Sequence, residues 1–328
     1  MNKIYAFEVR DDEQKYLDDL AKKHHIEIVC SPEVLTLEKI ATLDQNSGVT
    51  ILGMGHYGEK EMAELKERSI HYLSTRTIGY NHIDLEAAKR HDVHVCNASY
   101  APNGVADYTV MMILLCLRNY KQALWRMQVN DFSLSGLAGR EMKDLTIGVI
   151  GTGHIGTQVI KDLSGFGCSL ICYDRHKNDE AASLGTYVSL DELYARSDVI
   201  TIHLALNSET NHIINEESIA KMKDGVVLIN CARGGLMDIH ALIKGVEQEK
   251  IGALGLDTVE EEEGIVHRDL KTAIFADRDI AYLRQFKNVV YTYHMAFYTD
   301  EAVRSMAECG IEGLLEMAND VECKTQLC

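Results

Sequence analysis

Eleven short apolar runs, separated by polar or amphipathic stretches, limit what this chain of 328 residues can become. Five of them, at residues 4–9, 26–30, 49–53, 70–75 and 93–96, precede a long helical stretch. Six more follow it, at 145–150, 169–174, 199–203, 226–231, 253–257 and 289–292. Between the runs lie segments of helical period such as 60–68, 85–91, 155–166 and 238–249. Continuous apolar runs of this length read as strands buried on both faces, and their alternation with helices predicts an α/β chain of doubly wound parallel sheets. Eleven strands are too many for one compact sheet of this kind and predict two. The chain's length and its 46% hydrophobic content likewise predict two domains with sizeable cores.

The break is expected near Ala101-Pro102-Asn103, because Pro102 suits a helix N-terminus. From Val105 to about Asn130 the pattern predicts one long, largely apolar helix. The final segment, 298–319, reads as a helix able to return to either half. No internal repeat or low-complexity tract is visible.

The run 145–150 feeds directly into Gly151-Thr152-Gly153-His154-Ile155-Gly156, and a helix pattern follows at once. This is G-x-G-x-x-G in the strand–turn–helix setting that dinucleotide binding requires. Gly151 permits the tight turn, Gly153 lets the backbone approach a pyrophosphate, and Gly156 lets helix and strand pack closely. The helix N-terminus supplies local positive potential. Asp174 ends the next strand, about 20 residues on, where an acid accepts both ribose hydroxyls. An Asp there predicts NAD, since a 2′-phosphate would meet a carboxylate; Arg175, His176 and Lys177 follow and can soften that preference.

Arg233, Glu262 and His294 each follow the carboxyl end of an expected strand in the second sheet, the edge where doubly wound sheets bind ligands. Those three side chains suit reduction of a 2-oxo acid. A guanidinium binds a carboxylate or ketone oxygen and stays charged. An imidazole donates a proton to a carbonyl oxygen. A carboxylate beside it favours its protonated form and fixes its orientation. Taken singly each has a plain alternative: a loop arginine, a solvated acid in the run 260–263, one of 14 histidines.

The formal charge of −17 makes nucleic acid and anionic membranes poor partners, and sets the anionic substrate a need for a locally positive site. The nine cysteines are scattered without zinc spacing, so no metal is expected, and free thiols suit a reducing cytoplasm. The N-terminus runs into charge too soon for a signal peptide, and the most apolar stretch, 110–117, is far shorter than a membrane span. Cytoplasmic location is the expectation.

Three stretches carry a family resemblance: 149–156, Asn230-Cys231-Ala232-Arg233-Gly234-Gly235, and Tyr293-His294-Met295-Ala296-Phe297-Tyr298. Together they resemble the D-isomer-specific 2-hydroxyacid dehydrogenases, and the likeness runs over essentially the whole chain. It is strongest to the D-lactate dehydrogenase branch, and Ser74-Thr75-Arg76-Thr77-Ile78-Gly79-Tyr80-Asn81-His82-Ile83-Asp84 is similar to the vancomycin-resistance type. The resemblance implies catalysis by Arg233, Glu262 and His294, Glu262 being taken because it lies five residues after Asp257. It implies cofactor contacts from Gly151, Gly153, His154, Ile155, Gly156, Asp174, Cys231 and Asp257, the last at the nicotinamide carboxamide. Substrate contacts would come from Arg233, Tyr298, the loop holding Ile78 and Gly79, which would form an anion-binding nest, and Tyr100 near the interdomain cleft.

The resemblance further implies a flavodoxin-like substrate domain, 1–100 plus 297–328, with a Rossmann NAD domain, 101–296, inserted, and a homodimer. The expected reaction is NAD-dependent reduction of a small 2-oxo acid to the D-2-hydroxy acid, pyruvate to D-lactate leading. Bulkier oxo acids, such as phenylpyruvate or 2-oxoisocaproate, are the alternative. Glu262 argues against formate oxidation, and the absence of a basic cluster in the substrate loops argues against a phosphorylated substrate. A non-catalytic, NAD-sensing interaction protein is the rival from another class; such corepressors carry long extensions, whereas this chain ends a few residues past its last helix.

The chain departs from the family where Tyr293 stands for Pro, Met295 for Thr, and Ile202-His203-Leu204-Ala205 for the usual Leu-His-x-Pro. Those changes, and an unfamiliar Met54-Gly55-His56-Tyr57 stretch, leave substrate size open.

Overall fold

A computed structural model describes residues 1–262 and 264–328; Glu263, in the acidic run, lies outside the described residues. The chain divides into two compact units, Met1–Ala101 with Tyr298–Cys328, and Pro102–Phe297.

The first unit holds five parallel strands: β1 (Lys3–Ala6), β2 (Glu27–Cys30), β3 (Gly48–Ile51), β4 (Tyr72–Thr75) and β5 (His94–Cys96), in the order β2-β1-β3-β4-β5. This is the flavodoxin-like order, and the connection reverses between β1 and β3. One face packs residues such as Val49, Ile51, Leu65 and Leu73, the other Ile4, Leu17, Ile311 and Leu314. The second face is closed by helices Asp11–His24 and Asp300–Ala318, so the last helix returns to the first unit. The C-terminal tail covers the exposed edge of β5, with Leu327 N–H donating to Val95 O (2.7 Å) and Asn97 N–H to Thr325 O (3.1 Å).

The second unit holds β6 (Thr146–Ile150), β7 (Ser169–Tyr173), β8 (Thr186–Tyr187), β9 (Val199–Ile202), β10 (Val226–Asn230), β11 (Ile251–Leu256) and β12 (Val289–Tyr291). All are parallel, in the order β12-β11-β10-β9-β6-β7-β8. The winding reverses between β6 and β9, which puts a ligand crevice at their carboxyl ends. Fully buried Ile150, Ile200, Leu228 and Leu254 belong to its core.

Two sequence expectations are corrected. The two-residue strand β8 is too short to leave an apolar signature and was not anticipated. The long helix from Val105 is two helices, Asn103–Leu117 and Tyr120–Gln128. Asn119 breaks it at φ +49°, a left-handed conformation that Asn tolerates. The 138–140 segment then closes on the break: Arg140 N–H caps Leu117 O (3.0 Å) and Asn119 Nδ2 donates to Ala138 O (3.1 Å). The first helix buries Val105, Met112, Ile113 and Leu117, whereas the second buries no residue.

Candidate functional site

The dinucleotide turn is built around three glycines with different constraints. Gly151 follows β6 at φ +94°, which excludes side chains that must avoid positive φ. A Cβ on Gly156 would sit 1.9 Å from Gly151 O, so only glycine lets the helix His154–Ser164 start against the turn. Gly153 is the opposite case: it is exposed and a Cβ there would meet nothing within 4 Å. Folding alone does not require glycine at 153, but a phosphate approaching the backbone does. His154 and Ile155 follow it in the first helical turn, where unpaired N–H groups and the helix dipole favour an anion.

Asp174 stands just past β7 and reaches back to this turn. Its Oδ2 accepts Thr152 N–H (2.7 Å) and its Oδ1 accepts His176 N–H (3.0 Å). Burial pushes the carboxyl up, but those N–H bonds outweigh it and hold the group below the usual carboxylate range. Arg175 is paired with Glu209. An open phosphate cradle with an ionised acid beside it fits a dinucleotide lacking a 2′-phosphate. Cys231 is buried just after β10, and burial pushes its thiol up, so it behaves as an apolar wall.

Three adjacent strands, β10, β11 and β12, deliver Arg233, Glu262 and His294 to one edge. His294 and Glu262 meet: imidazole Nδ1 lies 2.5 Å from Glu262 Oε1. A carboxylate only accepts, so Nδ1 carries hydrogen and Nε2 is the nitrogen left for chemistry. Glu262 Oε2 accepts Val259 N–H (3.1 Å), which fixes the acid in turn. Its neighbour Glu260 is committed elsewhere, paired with His212 and accepting Ile239 N–H (3.1 Å). Arg233 is half-buried, with Nη1 donating to Ala232 O (2.7 Å). The adjoining Gly234 lies so close to the β11 loop that a Cβ would meet Val259 O at 2.0 Å, which locks the Arg233 turn against that loop.

His294 itself sits at φ +55°, a strained conformation that its surroundings must hold. Asp257, fully buried after β11, does much of this. Its backbone O accepts His294 N–H (2.7 Å), Oδ1 accepts Thr292 Oγ1–H (2.6 Å) and Met295 N–H (3.0 Å), and Oδ2 accepts Ala296 N–H (2.8 Å). From the sequence Asp257 was expected only at the nicotinamide; the scaffold role has no pattern signal. His267 was also missed: its Nε2 donates to His294 O (2.9 Å), and Phe297 packs edge-on against both rings.

In the first unit the 77–80 loop follows β4. Ala98 N–H holds Thr77 O (3.0 Å), Asn97 Nδ2 holds Ile78 O (2.7 Å), and Thr77 Oγ1 holds Gly79 O (2.6 Å). Each trans peptide directs its N–H opposite its carbonyl, so the N–H groups of Ile78, Gly79 and Tyr80 turn away from these anchors. Among the described residues no protein acceptor meets those three N–H groups. Three outward donors in succession suit a carboxylate.

Beneath the loop, Arg76 is wholly buried, donating to Glu13 Oε1 (2.9 Å), Phe7 O (2.8 Å) and Thr50 Oγ1 (3.3 Å). No pattern in the sequence marks this pair. Tyr298 is about half exposed, its ring faced by Arg10 at 5.5 Å and its hydroxyl bonded to Asp12. Tyr100 is half-buried near the end of the unit's first segment.

The family model for the D-isomer-specific 2-hydroxyacid dehydrogenase NAD-binding domain matches residues 110–296. An aromatic 2-oxoacid reductase from Clostridium sporogenes is 42% identical, over 99% of this chain and 98% of its own. A D-lactate dehydrogenase from Lactobacillus delbrueckii subsp. bulgaricus is 35% identical, over 99% and 98%. The NAD-complexed structure of a D-isomer-specific 2-hydroxyacid dehydrogenase from the same species superposes with a TM-score of 0.85 at 30% identity, covering 100% of both chains. No helix among the described residues is long and apolar enough to cross a membrane. With its glycine turn and acid in place, the chain belongs to the D-isomer-specific 2-hydroxyacid dehydrogenases, enzymes that use NAD.

Proposed function

We propose that this dehydrogenase reduces 2-oxo acids with bulky, aromatic side chains to the D-2-hydroxy acids, with phenylpyruvate as a representative substrate. The observation carrying the chemistry is the His294–Glu262 pair at 2.5 Å on the strand edge that also bears Arg233. The side-chain preference rests on the 42% identity to the aromatic 2-oxoacid reductase. Pyruvate to D-lactate is the second reading, favoured by the 35% identity to the D-lactate dehydrogenase.

The roles follow from the groups. Arg233 binds the substrate's carboxylate or ketone oxygen through charge-assisted hydrogen bonds. Glu262 holds the His294 ring through Nδ1, and Nε2 carries the proton that passes to the ketone oxygen. The 77–80 loop offers its N–H groups to the carboxylate, and Tyr298 contacts the substrate side chain. Bound NADH supplies the hydride. Gly151, Gly153, His154, Ile155, Gly156, Asp174, Cys231 and Asp257 hold the cofactor.

The helix Tyr120–Gln128 and the segment beyond it expose Trp125, Met127, Phe132 and Leu134, which supports a homodimer formed through this apolar surface. Nine unbridged cysteines support a cytoplasmic setting. The test is NADH oxidation, followed by absorbance, with phenylpyruvate and pyruvate in parallel. A higher kcat/KM for phenylpyruvate supports the first reading, a higher value for pyruvate the second, and oxidation by neither oxo acid refutes both.

A further inference from the structure

We infer that His82 is a positioning residue for the substrate carboxylate, acting through a one-way relay of hydrogen bonds that sets the 77–80 loop. This deepens the reading above and rests on it. The relay runs from His82 Nε2 to Thr75 Oγ1 (3.1 Å), from there to Thr77 Oγ1 (2.8 Å), and on to Gly79 O (2.6 Å).

Its direction is forced from the far end. The carbonyl of Gly79 can only accept, so the single Thr77 hydroxyl proton is spent on it. Thr77 Oγ1 must then accept from Thr75, which spends the Thr75 proton. Thr75 Oγ1 must therefore accept from His82, and His82 Nε2 must carry hydrogen. The neutral tautomer with hydrogen on Nε2 and the imidazolium both satisfy this.

The terminus of the relay is the peptide that matters. Fixing Gly79 O inward turns the Tyr80 N–H outward, beside the N–H groups of Ile78 and Gly79 whose carbonyl partners are Ala98 N–H and Asn97 Nδ2. Those two anchors come from the residues that directly follow β5. The third comes from the Thr77 hydroxyl, which is oriented through Thr75 by His82.

The ring is also held in place. A Cβ on Gly53 would lie 2.9 Å from His82 Cε1, so only glycine, itself at φ +93°, admits the imidazole here. Tyr57 packs against the ring at 6.3 Å in an edge-on geometry, and Tyr57 N–H donates to His82 O (2.8 Å). Thr75 is fully buried, so its hydroxyl has no ready replacement from water.

The test compares His82→Ala, Thr75→Val and His82→Gln in steady-state turnover of phenylpyruvate and pyruvate, with oxamate binding to the NADH complex measured by calorimetry. His82→Ala and Thr75→Val should each raise the oxo-acid KM and the oxamate Kd about tenfold, the effect of losing one hydrogen bond. The KM for NADH and kcat should stay unchanged. His82→Gln, whose amide donates, should restore the oxo-acid KM. Unchanged KM and oxamate Kd in folded His82→Ala and Thr75→Val would overturn the relay, as would a Gln variant no better than Ala. A wild-type chain that neither reduces an oxo acid nor binds oxamate would refute the parent reading, and the relay's purpose with it.

Discussion

Replacing Asp257 with Asn separates two accounts of this residue, cofactor contact and scaffold for the His294 loop. The carboxylate is fully buried and takes three donors, Thr292 Oγ1–H and Met295 N–H on Oδ1 and Ala296 N–H on Oδ2. An Asn can keep its one carbonyl toward Thr292 and Met295, but its amide then faces the Ala296 N–H, donor against donor. The charge-assisted bond to Ala296 N–H is lost, which strands that donor, and the new amide N–H facing it is stranded too, each about 1–3 kcal/mol. Relief from burying a charge offsets part of this, leaving a net cost of about 3 kcal/mol. For a unit of this size that lowers Tm by roughly 6–12 °C. Because His294 hangs from the same loop at φ +55°, a displacement near 1 Å should cut kcat about 100-fold even at saturating NADH. The assay is thermal unfolding without cofactor, paired with turnover at saturating NADH. An unchanged melting temperature together with weakened NADH binding would refute the scaffold argument and leave Asp257 as a cofactor contact alone.

Other predictions follow from the same geometry. Gly153→Ala should fold normally, since a Cβ there meets nothing within 4 Å, yet weaken NADH roughly tenfold or more and shrink the NADH-induced rise in Tm; Gly156→Ala should fail to fold properly, because its Cβ would lie 1.9 Å from Gly151 O. Asp174→Asn should lower the preference for NADH over NADPH by roughly tenfold, measured as the ratio of the two Kd values. Burial lowers His203 to about 4 from an ordinary 6.5, so the unfolded chain binds the extra proton as pH falls between those values and stability is lost across that window. Nδ1 is enclosed and Nε2 meets Thr201 Oγ1 (2.9 Å), but the residue keeps some exposed surface, so the loss by pH 5 is about 2 kcal/mol at most; His203→Asn should flatten the fall in Tm between pH 7 and 5, and an identical slope would contradict the assignment.

The strands were legible because parallel strands buried on both faces must be apolar along their whole length, and the glycine turn because Gly151 and Gly156 meet backbone constraints that other residues do not satisfy, with Gly153 spaced between them. Arg233, Glu262 and His294 were legible as residues following strand ends, and the choice of Glu262 among its acidic neighbours came from family spacing. What the sequence did not disclose were partners far apart in the chain. Glu13 and Arg76 are joined inside a core where charges are rarely placed, and neither segment carries a pattern that announces it. Asn97 and Ala98 hold the 77–80 loop from just past the end of the adjacent strand, and Asp257 holds the loop of His294, bonds set by topology rather than by periodicity. The break at Asn119 was invisible because apolar residues continue on both sides, and only a backbone angle stops the helix.

Chiral analysis of the product formed from phenylpyruvate and NADH, run in parallel with wild type and His294→Ala, decides whether the imidazole drives a D-specific reduction. Wild type should give D-phenyllactate, and His294→Ala should lose nearly all turnover while keeping its NADH affinity. An L-product, or turnover that survives removal of the imidazole, would contradict this.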